Sequence, residues 1–579
     1  MLEFIQLLKQ RYQAVSEQQS QQHESWLYQR RIEQLIFAEA YIRKGQWLAG
    51  TARRALQIAV LGPTQAGKSS IVNVLLASQL AEVSPLAGYT VHAQGFCHGV
   101  NLSECQELQR YFGRFQCLSQ VDLNKQRFDC YSLTQNTSVS ELLPECVLWD
   151  TPDFDSIDSS TYREGVIRTI ALADIVVIVV SKEKYADQSV WDLIALLEVL
   201  QQPTCICLNK LSEGSETLLI KSLQEKWSKV RTDAFPEIVP IYYQTTANLP
   251  VWPKLHHDLL LRLAKQVRTK KHQRFEQQLL QKYWQEWLQP IREEHQALTD
   301  WHALLDVLIG QALDNYQRDF LNHPHHYETF QHALAELLIL LEVPGLADFL
   351  GGVRRVLTWP VRKIFRLERK SAHLANTSQE IVLLNQIAEH LIIQLTDQIM
   401  NNMEQSKQRA WWQHLRTLLQ SQRSDILKNF RLSAKNYHLS FQQDVEQVAH
   451  SMYHKLQQQP LVLNGLRATR VTADAAVIAV ALHTGGIGIH DLVIAPAMLT
   501  LTSLLAESAI GGYMHKLENQ LKQQQLKVVK QTLFMDTIGK KLGELPEQLV
   551  MLPFFNISPS QLLQAEQQLT EKRHGLRLL

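Results

Sequence analysis

Cysteine is scarce in this chain. There are seven in 579 residues, all between Cys97 and Cys207 and none in a CxxC pair. An odd, unpatterned set excludes a disulfide-stapled scaffold and points to a reducing, cytoplasmic setting. Charge of one sign is also lacking: 58 Lys and Arg face 57 Asp and Glu, a net +1, which excludes a global electrostatic pull on nucleic acid. No apolar run reaches the roughly 18 residues of an ordinary spanning helix. The opening Met1-Leu2-Glu3-Phe4-Ile5-Gln6 has neither the basic nor the apolar region of a signal peptide. Fixed-period repeats are missing too, so a solenoid is not expected.

What is present divides the chain. Residues 1–55 are glutamine-rich, with Leu2, Ile5, Leu8 and then Leu35, Ile36, Ala38, Tyr41 and Ile42 at helical spacing. This predicts one or two amphipathic N-terminal helices. From 56 to 265, short apolar runs at 58–61, 146–149, 175–180, 204–208 and 239–243 alternate with helical patterns. That alternation predicts a mainly parallel sheet with crossover helices. From 266 to 579 β-type runs nearly vanish and Gln, Leu, Glu, Lys and Ala dominate, which predicts an all-α bundle or stalk. A chain of this length needs more than one core.

The densest information lies at Gly62-Pro63-Thr64-Gln65-Ala66-Gly67-Lys68-Ser69-Ser70. An apolar strand pattern precedes it and a helical pattern follows, the context in which GxxxxGK[ST] reads as a phosphate-binding P-loop. Glycines let backbone N–H groups converge on phosphate, and the helix N-terminus adds a favourable partial charge. Lys68 is expected to reach the β- and γ-phosphates, and Ser69 to ligate Mg²⁺. About eighty residues on, Trp149-Asp150-Thr151-Pro152-Asp153 follows a second strand pattern. Asp150 there is expected to hold Mg²⁺ through water; the competing reading is a helix-capping Asp. Asn209-Lys210-Leu211-Ser212 follows another strand pattern.

GxxxxGKS, DxP and NKx at successive strand ends resemble the P-loop GTPases of the translation-factor class, in their Era-like and dynamin-like branches. The resemblance implies an α/β GTPase head joined to a helical stalk on which the N-terminal helices pack, GTP as substrate and Mg²⁺ as cofactor. It implies that Asn209 and Lys210 read the guanine base, and that Ser212 stands where the family carries Asp. Thr90 is the candidate switch hydroxyl for Mg²⁺ and the γ-phosphate, or else an ordinary turn or strand residue. Gln65 takes the P-loop position that organises transition-state charge in relatives, some with a monovalent cation. Thr246-Ala247 matches a short base-contacting motif. Asp153 stands where Gly usually follows DxP, and a carboxylate there repels phosphate unless it points away. The roughly sixty residues between Thr90 and Asp150 exceed a minimal domain and predict an extra strand or helix.

Two helical-half stretches carry alternatives. Residues 475–506 are the most apolar part, with Gly485-Gly486 and Pro496 and no Lys or Arg between Arg470 and Lys516. They suit a buried hairpin or a short hairpin that dips into a bilayer. Residues 353–370 set Arg354, Arg355, Arg362, Lys363, Arg366, Arg369 and Lys370 beside Trp359, Ile364 and Phe365. They suit an anionic lipid surface or a solvated helix face. His323-Pro324-His325-His326 reads as a loop before it reads as a metal site. The resemblance therefore leaves three functions: a dynamin-like GTPase that self-associates through its head at the inner face of a membrane, an Era-like switch with a helical protein-interaction module, and a P-loop protein that uses ATP.

Overall fold

The computed structural model describes the chain apart from residues 19–24, 51–53, 85–88, 125, 154–158, 213, 215, 243–249, 269–270, 323–328, 331–332, 335, 338–378, 406–407, 462–510, 551, 553–554 and 576–579. The stretches 353–370 and 475–506, the histidines at 323–326 and Thr246 fall outside the described residues. The described chain forms two compact units, one of Met1–Gln289 with Leu552–Leu579, the other of Pro290–Met551.

The first unit is built on an eight-stranded sheet. Its strands are β1 (Leu56–Leu61), β2 (Ala93–His98), β3 (Gln116–Leu118), β4 (Cys130–Gln135), β5 (Cys146–Asp150), β6 (Ile175–Ser181), β7 (Thr204–Leu211) and β8 (Glu237–Tyr242), in spatial order β3-β4-β2-β5-β1-β6-β7-β8. All pairs are parallel except β2 with β5. The apolar runs lack alternation because the central strands are covered on both faces: every residue of β5 and β6 is buried. The long connection between Thr90 and Asp150 supplies β2, β3, β4 and a short helix, Leu108–Phe112, so β4 and β3 extend the sheet beyond β2. Phe112 stacks on Tyr131 at 4.1 Å and packs against Trp149 at 5.4 Å, which ties this extension to the central core.

The N-terminal helices α1 (Leu2–Gln18) and α2 (Ser25–Gly50) belong to the same unit as the sheet. Lys44 on α2 pairs with Asp174 at 2.8 Å, just before β6, and the same carboxylate accepts the backbone N–H of Gln57 on β1 at 3.0 Å. Glu39 on α2 meets Lys9 of α1 at 2.5 Å and Arg168 at 3.2 Å, the latter on the helix Ser159–Leu172. Burial raises the Glu39 carboxyl, but the charges of Arg168 and Lys9 outweigh it and hold the group down at about 2. Tyr12 donates to the carbonyl of Trp287 at 2.6 Å.

The second unit is helical, as its composition predicts. It contains Gln379–Gln405 and Arg409–Gln457, which pack on each other, and Gly511–Val528 followed by the π-helical turn Val529–Gly539. At its centre the buried Glu380 carboxylate accepts from Tyr316 at 2.7 Å, Tyr437 at 2.9 Å and Gln525 at 2.9 Å, with His438 at 3.2 Å. Among the described residues, no helix is long and apolar enough to cross a membrane.

Candidate nucleotide site

Parallel strands that end side by side leave a crevice beyond their C-terminal edge, where open α/β sheets bind ligands. Register brings the motifs there. Val60 of β1 pairs with Asp150 of β5, and Ser181 of β6 with Asn209 of β7. The P-loop leaves β1 and enters the helix Lys68–Leu76, whose N-cap is Gly67. Two glycines are required sterically. A Cβ on Gly62 would lie 2.2 Å from the Val179 carbonyl of β6, and one on Gly67 would lie 2.3 Å from Asn209 Nδ2. Gly67 also has φ +92°, in the left-handed region. Ala66 N–H closes the turn on Pro63 O at 3.2 Å, and Thr64 is buried. Gln65 adopts φ +61°, unusual for a side chain of its size.

Lys68 is nearly fully buried. It donates to Asp153 Oδ1 at 2.5 Å and to the carbonyl of Pro63 at 3.2 Å. The sequence leaves open whether the Asp153 carboxylate points away from the phosphate position; it turns inward, onto the P-loop lysine. Its backbone N–H donates to Thr90 O at 3.2 Å, which brings the switch candidate to the site through its main chain. Ser70 continues the first helical turn, partly exposed.

Ser69 donates its hydroxyl to Asp150 Oδ2 at 2.7 Å. Asp150 is 1 % exposed, and its Oδ1 has no hydrogen-bond partner among the described residues. Burial pushes this carboxyl up to about 6, opposed by the Ser69 hydrogen bond and by Lys68 and assisted by the Asp153 charge. A buried acceptor oxygen left unmatched beside a hydroxyl fits a hard divalent cation, which takes oxygen ligands of this kind. Thr151 anchors the segment by donating to Val60 O at 2.8 Å.

Asn209 and Lys210 have a task here that the motif reading did not foresee. Asn209 Nδ2 donates to Ala66 O at 2.8 Å, and Lys210 Nζ donates to Gln65 O at 2.7 Å. Both side chains therefore fasten the phosphate loop from the end of β7. Lys210 has φ +57° and its N–H donates to Asn209 Oδ1 at 2.9 Å, a local turn that aims the two side chains. Ser212 is exposed one residue past β7. Among the described residues no group of three or more His, Cys, Asp or Glu side chains could hold a metal ion.

A glycine loop held between β1, β6 and β7, a buried lysine at its end and a Ser–Asp pair beside it define a P-loop nucleotide-binding domain. Residues 57–210 match the family described as 50S ribosome-binding GTPase, and with this fold the domain is that of a GTPase, a GTP-hydrolysing enzyme. No curated protein matches the chain. Solved structures similar to it include two of an oligomerised bacterial dynamin pair, described as a mechanism for long-range sensing and tethering of membranes. They share 12% identity, one over 90% of each chain with a TM-score of 0.36, the other over 94% of each with 0.34. LeoA, a bacterial dynamin GTPase from ETEC, is similar at 12% identity over 95% of each chain, with a TM-score of 0.21. Likeness this loose transfers no residue role and no property.

Proposed function

We propose that the head binds GTP with Mg²⁺ and that its nucleotide state acts on the helical half, in a dynamin-like, membrane-associated mechanoenzyme. The observation that carries the nucleotide part is the convergence of Lys68, Ser69 and Asp150 at one strand edge, with an unmatched carboxylate oxygen among them. In this reading Lys68 neutralises phosphate charge, Ser69, Asp150 and Thr90 hold the metal, and Asn209 and Lys210 meet the base while bracing the loop. Mg²⁺, when bound, would screen the phosphate oxygens and the charge that develops in phosphoryl transfer. Gln65, in the same loop, would influence the transition state. Thr246 and Ser212 are assigned to the base in the same reading. The membrane part is supported by sequence alone: basic and aromatic residues interleave over 353–370, and 475–506 is apolar and free of Lys and Arg. The domain limits that go with this reading are 1–55, 56–265 and 266–579.

The test is GTP turnover against protein concentration, with and without anionic vesicles, with Lys68→Ala as the blank. A specific rate that rises with concentration or lipid supports self-association of heads on membrane. Failure of the wild type to sediment with anionic vesicles would remove the membrane role. The match to ribosome-binding GTPases favours a second reading, a regulatory switch with a helical protein-interaction module. Slow, flat turnover despite tight GTP binding identifies that one.

A further inference from the structure

A buried ammonium needs a counter-charge, and P-loops normally receive it from the nucleotide. This chain supplies its own. Asp153 Oδ1 lies 2.5 Å from Lys68 Nζ, and both side chains are almost wholly withdrawn from water, at 4% and 11% exposure. A charge-assisted bond in such a place is stronger than a surface pair, because solvent screens it little. The residue is also placed to pass on its displacement, since its N–H holds the Thr90 carbonyl at 3.2 Å.

We propose that Asp153 is a tethered anion that competes with nucleotide phosphate for Lys68, and so sets the affinity of the site for GTP and GDP. The inference rests on the nucleotide site described above. In the empty protein the carboxylate occupies the lysine. An arriving di- or triphosphate brings more charge and more acceptor oxygens, plus the loop N–H groups, and takes Lys68 over. The carboxylate, now beside phosphate of its own sign, is driven out of the crevice. Its backbone bond to Thr90 makes that departure felt in the switch candidate. Nucleotide affinity is thereby lowered by the cost of breaking an internal ion pair.

The sign of the effect distinguishes this from a structural role. Loss of a merely structural residue would weaken binding, whereas loss of a competitor tightens it. Full-length wild type, Asp153→Asn, Asp153→Gly and Asp153→Glu would be titrated with fluorescent GDP and a non-hydrolysable GTP analogue in Mg²⁺, alongside melting curves. We expect Asp153→Asn and Asp153→Gly to bind about tenfold tighter than wild type, the worth of one charge-assisted bond. Asp153→Glu keeps the charge and is expected to stay within a few-fold of the wild type. A wild type that binds, with a folded Asp153→Asn that binds equally or more weakly, overturns the competition alone. If no folded form binds either nucleotide, the nucleotide-site reading falls and the competition falls with it.

Discussion

The Ser69 hydroxyl donates to Asp150 Oδ2 at 2.7 Å, while Oδ1 of the same buried carboxylate accepts from no group among the described residues. The two residues lie 81 positions apart in sequence and meet only because β5 pairs with β1. The arrangement leaves a half-satisfied acceptor where a cation would complete it. Ser69→Ala and Asp150→Asn should each lower GTP turnover by about a hundredfold or more, the scale of losing a group that stabilises transition-state charge. Chelation of divalent ions should do the same to the wild type. Turnover measured against Mg²⁺ concentration checks both, and a variant with an unchanged Mg²⁺ requirement would count against the assignment.

Asn209 offers a test that does not depend on the base. Its side chain satisfies the Ala66 carbonyl, so Asn209→Ala strips a buried acceptor. The nucleotide-free protein should lose about 1–3 kcal/mol of stability in the head. Thermal unfolding without nucleotide is the measurement, and an unchanged curve would leave Asn209 as a base contact only.

Gly62 and Gly67 are separable from their neighbours by sterics. A methyl at Gly62 meets the backbone carbonyl of Val179, which cannot swing aside as a side chain could. Gly62→Ala should therefore displace the loop and abolish nucleotide binding, read by titration with fluorescent GDP. Gly67→Ala meets the Asn209 amide and a left-handed backbone together, and should cost at least about 1–2 kcal/mol. Pairing it with Asn209→Ala should recover the steric part but not the backbone part.

Glu39 predicts an acid limit for the head. Its carboxyl sits at about 2 in the folded protein against an ordinary 4.5. A depressed carboxyl contributes stability above its unfolded value, and that contribution fades as pH falls from about 4.5 toward 2. The shift corresponds to something on the order of 3 kcal/mol at neutral pH. Glu39→Gln should thus be destabilised at pH 7 and close to the wild type near pH 2, as judged by denaturant unfolding of both at each pH. Equal destabilisation at both extremes would mean that the loss is packing, not charge.

In the helical unit, Glu380 is the shared acceptor of Tyr316, Tyr437 and Gln525. Burial, with Glu380 next in effect, raises both tyrosine hydroxyls well above their usual range, so they stay protonated donors. Glu380→Leu should deprive the two buried tyrosine hydroxyls of their shared acceptor, while Gln525 keeps its bond to Thr329 Oγ1 at 3.1 Å, and cost about 3–5 kcal/mol. Far-ultraviolet circular dichroism against denaturant would register it as a lowered midpoint of the helical transition.

The amino-acid order by itself determined the α/β head and the helical half. Strand runs, a glycine loop and helix starts are local patterns, settled by residues within one or two turns of each other. The loop Gly62–Lys68 is legible for that reason: its glycines, lysine and flanking strand all act over a few residues. The extra length before Asp150 was legible only as surplus. That it becomes β3 and β4 on the sheet edge follows from Phe112, Tyr131 and Trp149 finding one another in the core. Tertiary structure alone decided the direction of Asp153, whose partner Lys68 is 85 residues away. It also decided that Asn209 and Lys210 brace the phosphate loop, and that Glu39 joins the N-terminal helices to the sheet unit. Each of these is a charge or polar group taken out of water. Such a group must find a partner wherever the packed backbone brings one within reach, and no local pattern records which partner that is.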